Sequence, residues 1–541
     1  MQRNIGYQRT VLQGNDSFEI VACEWKKGSV SPQHNHGWSH CLILIQEGCF
    51  ENRAEFGLKG ELSIYEPGQV IETPLGVEHE IRCVSETGKT LHVYTPKITK
   101  LYEEGNFNPR SLSEIKESLD LNLGDAPTRW TEVARQLGKI RDASIATHSP
   151  LFMNQLFSGI FPETLAAETI AAQSKTTLAT FEASPAFTAI ELEVVDKLCA
   201  LAGWEEDHRD GIAVPGGSAA NIMALHCARH RKVPEFRELG SRGEKFRVFC
   251  SQAAHYSWKK ACLVTGIGTK SLSEIAIDAQ GRMELKALRE SLEASLASGE
   301  IPLLVCATAG TTVAGAFDPI EGIASLCEEF GVWLHVDGAW GGPALFSPKL
   351  QNQIQGMEKA DSLTFDAHKL FGASITSSYF LTRHRGLLLA ANDVHDGGYI
   401  FHTTEVTEDR GRLSWQCGRG PDAFSFWTLW KSLGQEGLGK FVDRQLSLRD
   451  ECVEWIKDTP RLELVGSPEY LNVCVRVSPP PGKPSDPDWS RKIRERLKAN
   501  STCLVNFSRD EHGTFLRLIL ANPKLELSHV QHILRHALAL D

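Results

Sequence analysis

Apolar and polar positions change rhythm three times along the chain. Over residues 1–100 short runs predominate, such as Phe18-Glu19-Ile20-Val21-Ala22-Cys23, Cys41-Leu42-Ile43-Leu44-Ile45 and Thr90-Leu91-His92-Val93-Tyr94, with Gly and Pro between them. Runs of this length and spacing predict strands of a small antiparallel barrel or jelly roll. Residues 101–144 lose that pattern, and the charged stretch Ser113-Glu114-Ile115-Lys116-Glu117 predicts a linker with one amphipathic helix. From 145 to 428 helical periodicity alternates with apolar runs such as Phe246-Arg247-Val248-Phe249-Cys250, Leu303-Leu304-Val305-Cys306-Ala307 and Val332-Trp333-Leu334-His335-Val336. Such alternation predicts a mostly parallel sheet with helices on both faces. From 429 to 541 a helix-rich start gives way to strands such as Leu471-Asn472-Val473-Cys474-Val475-Arg476, predicting a small α+β lobe.

Composition narrows the class. Of 541 residues, 42% are hydrophobic and 23% charged, which excludes extensive disorder. A net charge of −11 argues against nucleic acid or anionic membrane as the main partner. There is no basic start followed by an apolar core, and no run of eighteen apolar residues. The 14 cysteines are scattered from Cys23 to Cys503 without a spaced framework, so reduced thiols and a cytoplasmic location are expected.

The first chemical signal is His34-Asn35-His36-Gly37-Trp38-Ser39-His40-Cys41, followed by His79. A His-x-His pair on a strand sends both imidazoles to one face. With a third histidine it can hold a metal and leave positions open for substrate and O2. Taken alone, the pair fits equally well with histidines satisfied by neighbouring polar groups. The surrounding residues add to it: Tyr7-Gln8-Arg9, Cys23-Glu24-Trp25, Gly76-Val77-Glu78-His79 and Leu91-His92-Val93-Tyr94-Thr95-Pro96. Residues 5–100 thus resemble the cysteine dioxygenases in the order of their motifs. The resemblance implies a cupin barrel that binds Fe(II) through His34, His36 and His79 and oxidises L-cysteine with O2 to cysteine sulfinate. It implies that Tyr7 and Arg9 bind substrate, the Arg9 fork meeting the carboxylate. It also implies a catalytic role for Cys41 and Tyr94, a pair that some family members join as a thioether, with His92 orienting the tyrosine.

The second signal is His335-Val336-Asp337-Gly338-Ala339-Trp340 after an apolar strand, with Asp366-Ala367-His368-Lys369 about thirty residues later. An Asp at a strand end and a following Lys suit pyridoxal 5'-phosphate, the Lys attaching the cofactor and the Asp pairing with its ring nitrogen. Pro215-Gly216-Gly217-Ser218-Ala219-Ala220-Asn221 precedes a helical run, and free N–H groups at a helix start make a phosphate cradle. Ala254-His255-Tyr256-Ser257, Thr308-Ala309-Gly310-Thr311-Thr312 and Ala316-Phe317-Asp318-Pro319 complete a series that resembles the group II pyridoxal phosphate decarboxylases over residues 145–541. That family has the fold type I transferase architecture. The resemblance implies that Lys369, His368, Asp337, His255, Gly217, Ser218, Thr312 and Asp318 bind the cofactor, with His255 on its ring. It further implies that Tyr399, in Gly398-Tyr399-Ile400-Phe401, is the proton donor, and that the protein is a homodimer. Ala220 and the pair Asp366-Ala367 depart from the common family pattern.

His148-Ser149-Pro150-Leu151-Phe152-Met153-Asn154-Gln155 and Phe515-Leu516-Arg517-Leu518 resemble the cysteine sulfinate and glutamate decarboxylase branch, with Gln155 and Arg517 as substrate residues. Glutamate, aspartate and cysteine sulfinate are not separated by these residues alone. An oxidase that makes cysteine sulfinate on the same chain favours that substrate, and hypotaurine as the product. Two alternatives stay open. One is an acidic amino acid decarboxylase whose barrel senses cysteine or metal. The other is a barrel acting on another thiol, which Arg9 disfavours.

Overall fold

The computed structural model describes residues 7–14, 19–31, 40–56, 59–73, 78–95, 106–394, 398–402 and 407–540. At some strand positions near the N-terminus, Arg9, His40 and Tyr94 among them, it describes the backbone alone. The chain divides into two compact units, Met1–Ser149 with Lys498–Thr502, and Pro150–Leu497 with Cys503–Asp541.

The first unit contains β1 (Tyr7–Gly14), β2 (Glu19–Lys26), β3 (His40–Glu47), β4 (Phe50–Phe56), β5 (Lys59–Tyr65), β6 (Val70–Thr73), β7 (Glu78–Cys83) and β8 (Thr87–Thr95). They form two antiparallel sheets, ordered β1-β2-β8-β3-β6 and β5-β4-β7. An isolated bridge between Val30 and Arg82 links the region after β2 to β7. The strands therefore match the expected pattern, while the described pairings stop short of a closed cupin barrel. The apolar sides of Val21, Cys23, Trp25, Cys41, Ile43 and Ile45 form a small core. Where one linker helix was expected there are two, Leu112–Ser118 and Trp130–Ala143. The first is announced by a capping box of Ser111 and Glu114. The second begins after Arg129 without a side-chain cap, so its start carries no local signal.

In the second unit a short strand, β9 (Phe152–Met153), precedes β10 (Asp210–Pro215), β11 (Phe246–Ser251), β12 (Leu272–Ile275), β13 (Ile301–Thr308), β14 (Trp333–Gly338), β15 (Ser362–Asp366) and β16 (Ser377–Thr382). The last seven make one sheet, ordered β10-β16-β15-β14-β13-β11-β12. Strands β11 to β15 run parallel, and β16 is antiparallel to both its neighbours. The sheet is thus mostly parallel, as expected. Strands β17 (Leu462–Leu464), β18 (Asn472–Val477), β19 (Leu504–Asp510) and β20 (Gly513–Ile519) form a second sheet. Its outer strand is β9, which pairs parallel with β19. Residues far upstream therefore complete the C-terminal lobe, a pairing that no local pattern reports. No disulfide joins the described residues, and no described helix is long and apolar enough to cross a membrane.

Candidate active site

A parallel sheet buried on both faces leaves its strand ends as the open place for chemistry. The predicted residues gather there. A cavity of about 560 Å³ opens at the C-terminal ends of β10, β13, β14 and β15, and Lys369, Asp337, His255, Ser218, Gln155 and Arg517 are all in its wall. Gly217, Thr312 and His368 line it as well.

Each side chain is placed by the element before it. The helix Gly217–Lys232 starts directly after β10, and Gly216 turns the chain with φ 94°, a conformation open to glycine at little cost. Space beside Gly217 is tight: a Cβ there would lie 2.7 Å from an Asp366 carboxylate oxygen and 3.2 Å from Ala339 Cβ. The absence of a Cβ thus lets the Gly217 backbone line the cavity directly, with Ser218 alongside. Asp337, second to last in β14, is 5% exposed and accepts from the Asn221 amide at 2.8 Å and from the Ala339 N–H at 3.2 Å. Lys369 Nζ lies 3.0 Å from Asp366 Oδ2. His368 Nδ1 donates to the Ser377 carbonyl at 3.1 Å, which holds the loop after β15 against β16. His255 Nδ1 accepts from the Ser257 N–H at 3.3 Å. Burial pushes the His255 pKa down, with Asp337 and Asp366 opposing the shift.

Arg517 reaches the cavity from β20. Its Nη1 donates to the Thr312 carbonyl at 3.0 Å and its Nη2 to the Asn154 carbonyl at 2.9 Å. Its Nε is buried and has no hydrogen-bond partner. Neutral carbonyls satisfy two of its donors and leave the charge itself uncompensated. Burial lowers its pKa, as it must for a cation removed from water.

Two of the expected residues stand elsewhere. Asp318 is not in the cavity wall. It is 1% exposed, and its two oxygens accept from the Thr308 and Met283 N–H groups, both at 2.7 Å. Burial pushes its carboxyl up to about 6 against those two donors. In this position it clamps the end of β13. Tyr399 is 86% exposed and outside the cavity of its own chain. Conversely, Asn221 and Asp366 line the cavity although no role was expected for either. Asn221 could have been found from its place one turn into the helix after Gly217, on the same face.

The donor set suits pyridoxal phosphate. A helix start with a hydroxyl matches a phosphate, a buried carboxylate matches a protonated ring nitrogen, and an amine lies in reach. Asp366 Oδ1, Thr308 Oγ1 and Arg517 Nε, all buried, lack hydrogen-bond partners. All three belong to residues of the cavity wall.

In the first unit His34 and His36 lie outside the described residues. His79 is 1% exposed, with Nδ1 3.0 Å from Asn52 Oδ1. His92 Nε2 lies 2.8 Å from the Thr90 hydroxyl, which accepts from Trp25 Nε1. Tyr7 stacks on Trp25 with ring centres 4.1 Å apart. Cys41, fully buried, pairs in register with Tyr94 across β3 and β8, and Arg9 pairs with Cys23. Among the described residues no cluster of three His, Cys, Asp or Glu side chains could hold a metal.

Comparison with known proteins bears on the second unit. Residues 113–478 match the family described as the pyridoxal-dependent decarboxylase conserved domain. The chain is 36% identical over 437 residues to cysteine sulfinic acid decarboxylase of Mus musculus, covering 78% of this chain and 88% of the relative. It is 35% identical over 439 residues to the acidic amino acid decarboxylase GADL1 of Bos taurus, covering 79% and 84%. The crystal structure of mouse CSAD in apo form superposes with a TM-score of 0.76 at 34% identity, covering 82% of this chain and 93% of that one. On sequence, fold and site together, the chain belongs to the pyridoxal-dependent decarboxylase family.

Proposed function

We propose that the chain carries two consecutive activities: oxidation of L-cysteine to cysteine sulfinate by the first unit, and decarboxylation of cysteine sulfinate to hypotaurine by the second. The observation that carries the second step is Arg517, a buried guanidinium without a carboxylate partner among the described residues, in the same cavity as Lys369. A second acidic group on the substrate would neutralise it. Bound pyridoxal phosphate would supply the electron sink for the pair released with CO2. Lys369 would hold it covalently, Asp337 would face its ring nitrogen, His255 would lie on its ring, and Gly217 and Ser218 would hold its phosphate. Arg517 and Gln155 orient the substrate through its side-chain acid. Tyr399 lies outside the cavity of its own chain, so its role as proton donor belongs to a homodimer in which one copy serves the cavity of the other.

The first step rests on the order of the cysteine dioxygenase motifs and on the Cys41–Tyr94 register. Directly opposed residues of an antiparallel pair have Cα atoms about 4.5–5.5 Å apart, within reach of a thioether. Iron would sit on His34, His36 and His79 and activate O2, with Asn52 fixing the His79 ring. Both oxygen atoms of O2 end on the cysteine sulfur. A mass two hydrogens below the sequence mass, with Cys41 and Tyr94 in one crosslinked peptide, is expected if the thioether forms.

Purified protein supplied with Fe(II), pyridoxal phosphate, O2 and L-cysteine tests both steps by mass spectrometry. Hypotaurine with transient cysteine sulfinate is the expected outcome. Accumulated cysteine sulfinate without hypotaurine would move the second site to glutamate or aspartate. Untouched cysteine, with added cysteine sulfinate decarboxylated, would make the first unit a sensor or an oxidase of another thiol.

A further inference from the structure

Strands β14 and β15 are buried along their whole length. Buried parallel strands are ordinarily near-continuous apolar runs. Here every second residue is polar or carries a polar tip: Trp333, His335 and Asp337 on β14, and Ser362, Thr364 and Asp366 on β15. Register places His335 beside Ser362 and Asp337 beside Thr364. The intervening Leu334, Val336, Leu363 and Phe365 pack into the main core. One face of the sheet is thus a polar ladder under the helix Gly217–Lys232, and it costs desolvation unless every member is bonded.

Its hydrogen bonds have one direction. A carboxylate only accepts, so the group of Asn221 that lies 2.8 Å from Asp337 Oδ2 is its amide nitrogen. The Asn221 oxygen then faces inward, accepting from the Thr364 hydroxyl at 2.9 Å and from His335 Nε2 at 3.2 Å. His335 therefore carries its proton on Nε2, and Nδ1 accepts from the Ser362 hydroxyl at 2.7 Å. Ser362 in turn accepts from Trp333 Nε1 at 2.8 Å. Burial drives the His335 pKa down to about 3, so the ring stays neutral and can serve as donor and acceptor at once. Aligned donors in a low-dielectric interior strengthen one another.

We propose that Trp333, Ser362, His335, Thr364 and Asn221 form a one-way hydrogen-bond relay that points its donors at Asp337 and keeps that carboxylate oriented toward the cofactor ring, with Asn221 as its terminal positioning residue. This rests on the reading of Asp337 as the partner of the ring nitrogen. The relay explains why a buried core layer retains so many polar atoms: its neutral members present one N–H to the carboxylate and bring no competing charge.

Asn221→Asp tests direction against packing, because it keeps shape and replaces the donor with an acceptor facing Asp337. The readouts are dissociation of pyridoxal phosphate from the loaded full-length enzyme, the pH dependence of the bound cofactor's absorption, and the melting temperature of the cofactor-free protein. Expected are dissociation roughly 10- to 100-fold faster and a shifted absorption titration. A loaded Asn221→Asp protein with wild-type dissociation and titration would overturn the relay. Asp337→Asn separates the two readings. If it alters both readouts while Asn221→Asp does not, only the relay falls. If it alters neither, the Asp337 reading falls and takes the relay with it. Should Asn221→Asp not fold, Thr364→Val takes its place: a smaller acceleration in the same direction supports the relay, and an unchanged rate overturns it.

Discussion

The larger sheets of the two units place their candidate chemistry differently. In the antiparallel strands of the first unit, candidate residues meet across a strand pair. Cys41 faces Tyr94 by register, and Thr90, His92 and Tyr94 follow the period-two alternation of a single strand. In the parallel sheet of the second unit, candidate residues meet at strand ends. Lys369, Asp337, His255 and Ser218 come from four separate loops or strand termini, and Arg517 is delivered by a different sheet. Antiparallel pairing thus brings chemistry together along a strand, and parallel pairing brings it together across the fold.

The largest expected effects come from breaking one region while sparing the other. Lys369→Ala should reduce decarboxylation by roughly 10²- to 10⁴-fold or more while sulfinate formation continues, measured as product yields from L-cysteine and from added cysteine sulfinate. His79→Ala should do the reverse. Loss of both activities in either folded variant would show that the sites depend on each other. Next in size, Arg517→Gln should raise KM for cysteine sulfinate by about 30-fold or more, corresponding to a loss of about 2–5 kcal/mol. Arg517→Lys keeps the charge without the fork, and incomplete recovery is expected in steady-state kinetics.

Mixing Lys369→Ala and Tyr399→Phe proteins under conditions of subunit exchange sharpens the comparison further. Random pairing should restore about one quarter of wild-type decarboxylation if Tyr399 serves the cavity of a second copy. No gain over the unmixed proteins would remove Tyr399 from that role.

The smallest effect concerns the ladder. The folded His335 pKa, about 3, lies below the usual 6.5. Between those values the unfolded chain binds the extra proton, so this group's contribution is full above about pH 6.5 and declines as pH falls toward 3. The decline is up to about 1.4 kcal/mol per pH unit. His335→Gln should flatten the fall of the melting temperature between neutral pH and pH 5, whatever its effect at neutral pH.

Much of the second site was legible in the sequence because its residues flank strands. Apolar runs ending in Asp337, Ser251 and Thr308 place the following residues at the mouth of a parallel sheet. Asp318 shows the limit of that reasoning: it sits in a motif close to the site, and its carboxylate accepts from two backbone amides that no motif reports. Tyr399 shows another limit, because a motif reports a residue's chemistry without reporting which cavity it reaches.

By itself the sequence determined the kinds of element, the mostly parallel sheet, the cofactor class and nine of the residues in the cavity wall. These depend on local periodicity and on residues adjacent to strand ends. Only the tertiary structure decided that β9 completes the C-terminal sheet, that Asp318 is a clamp, and that Asn221 ends a directed chain reaching back to Trp333. Each depends on which atoms oppose which across segments up to hundreds of residues apart. Donor and acceptor direction is a property of such contacts, and no spacing along the chain encodes it.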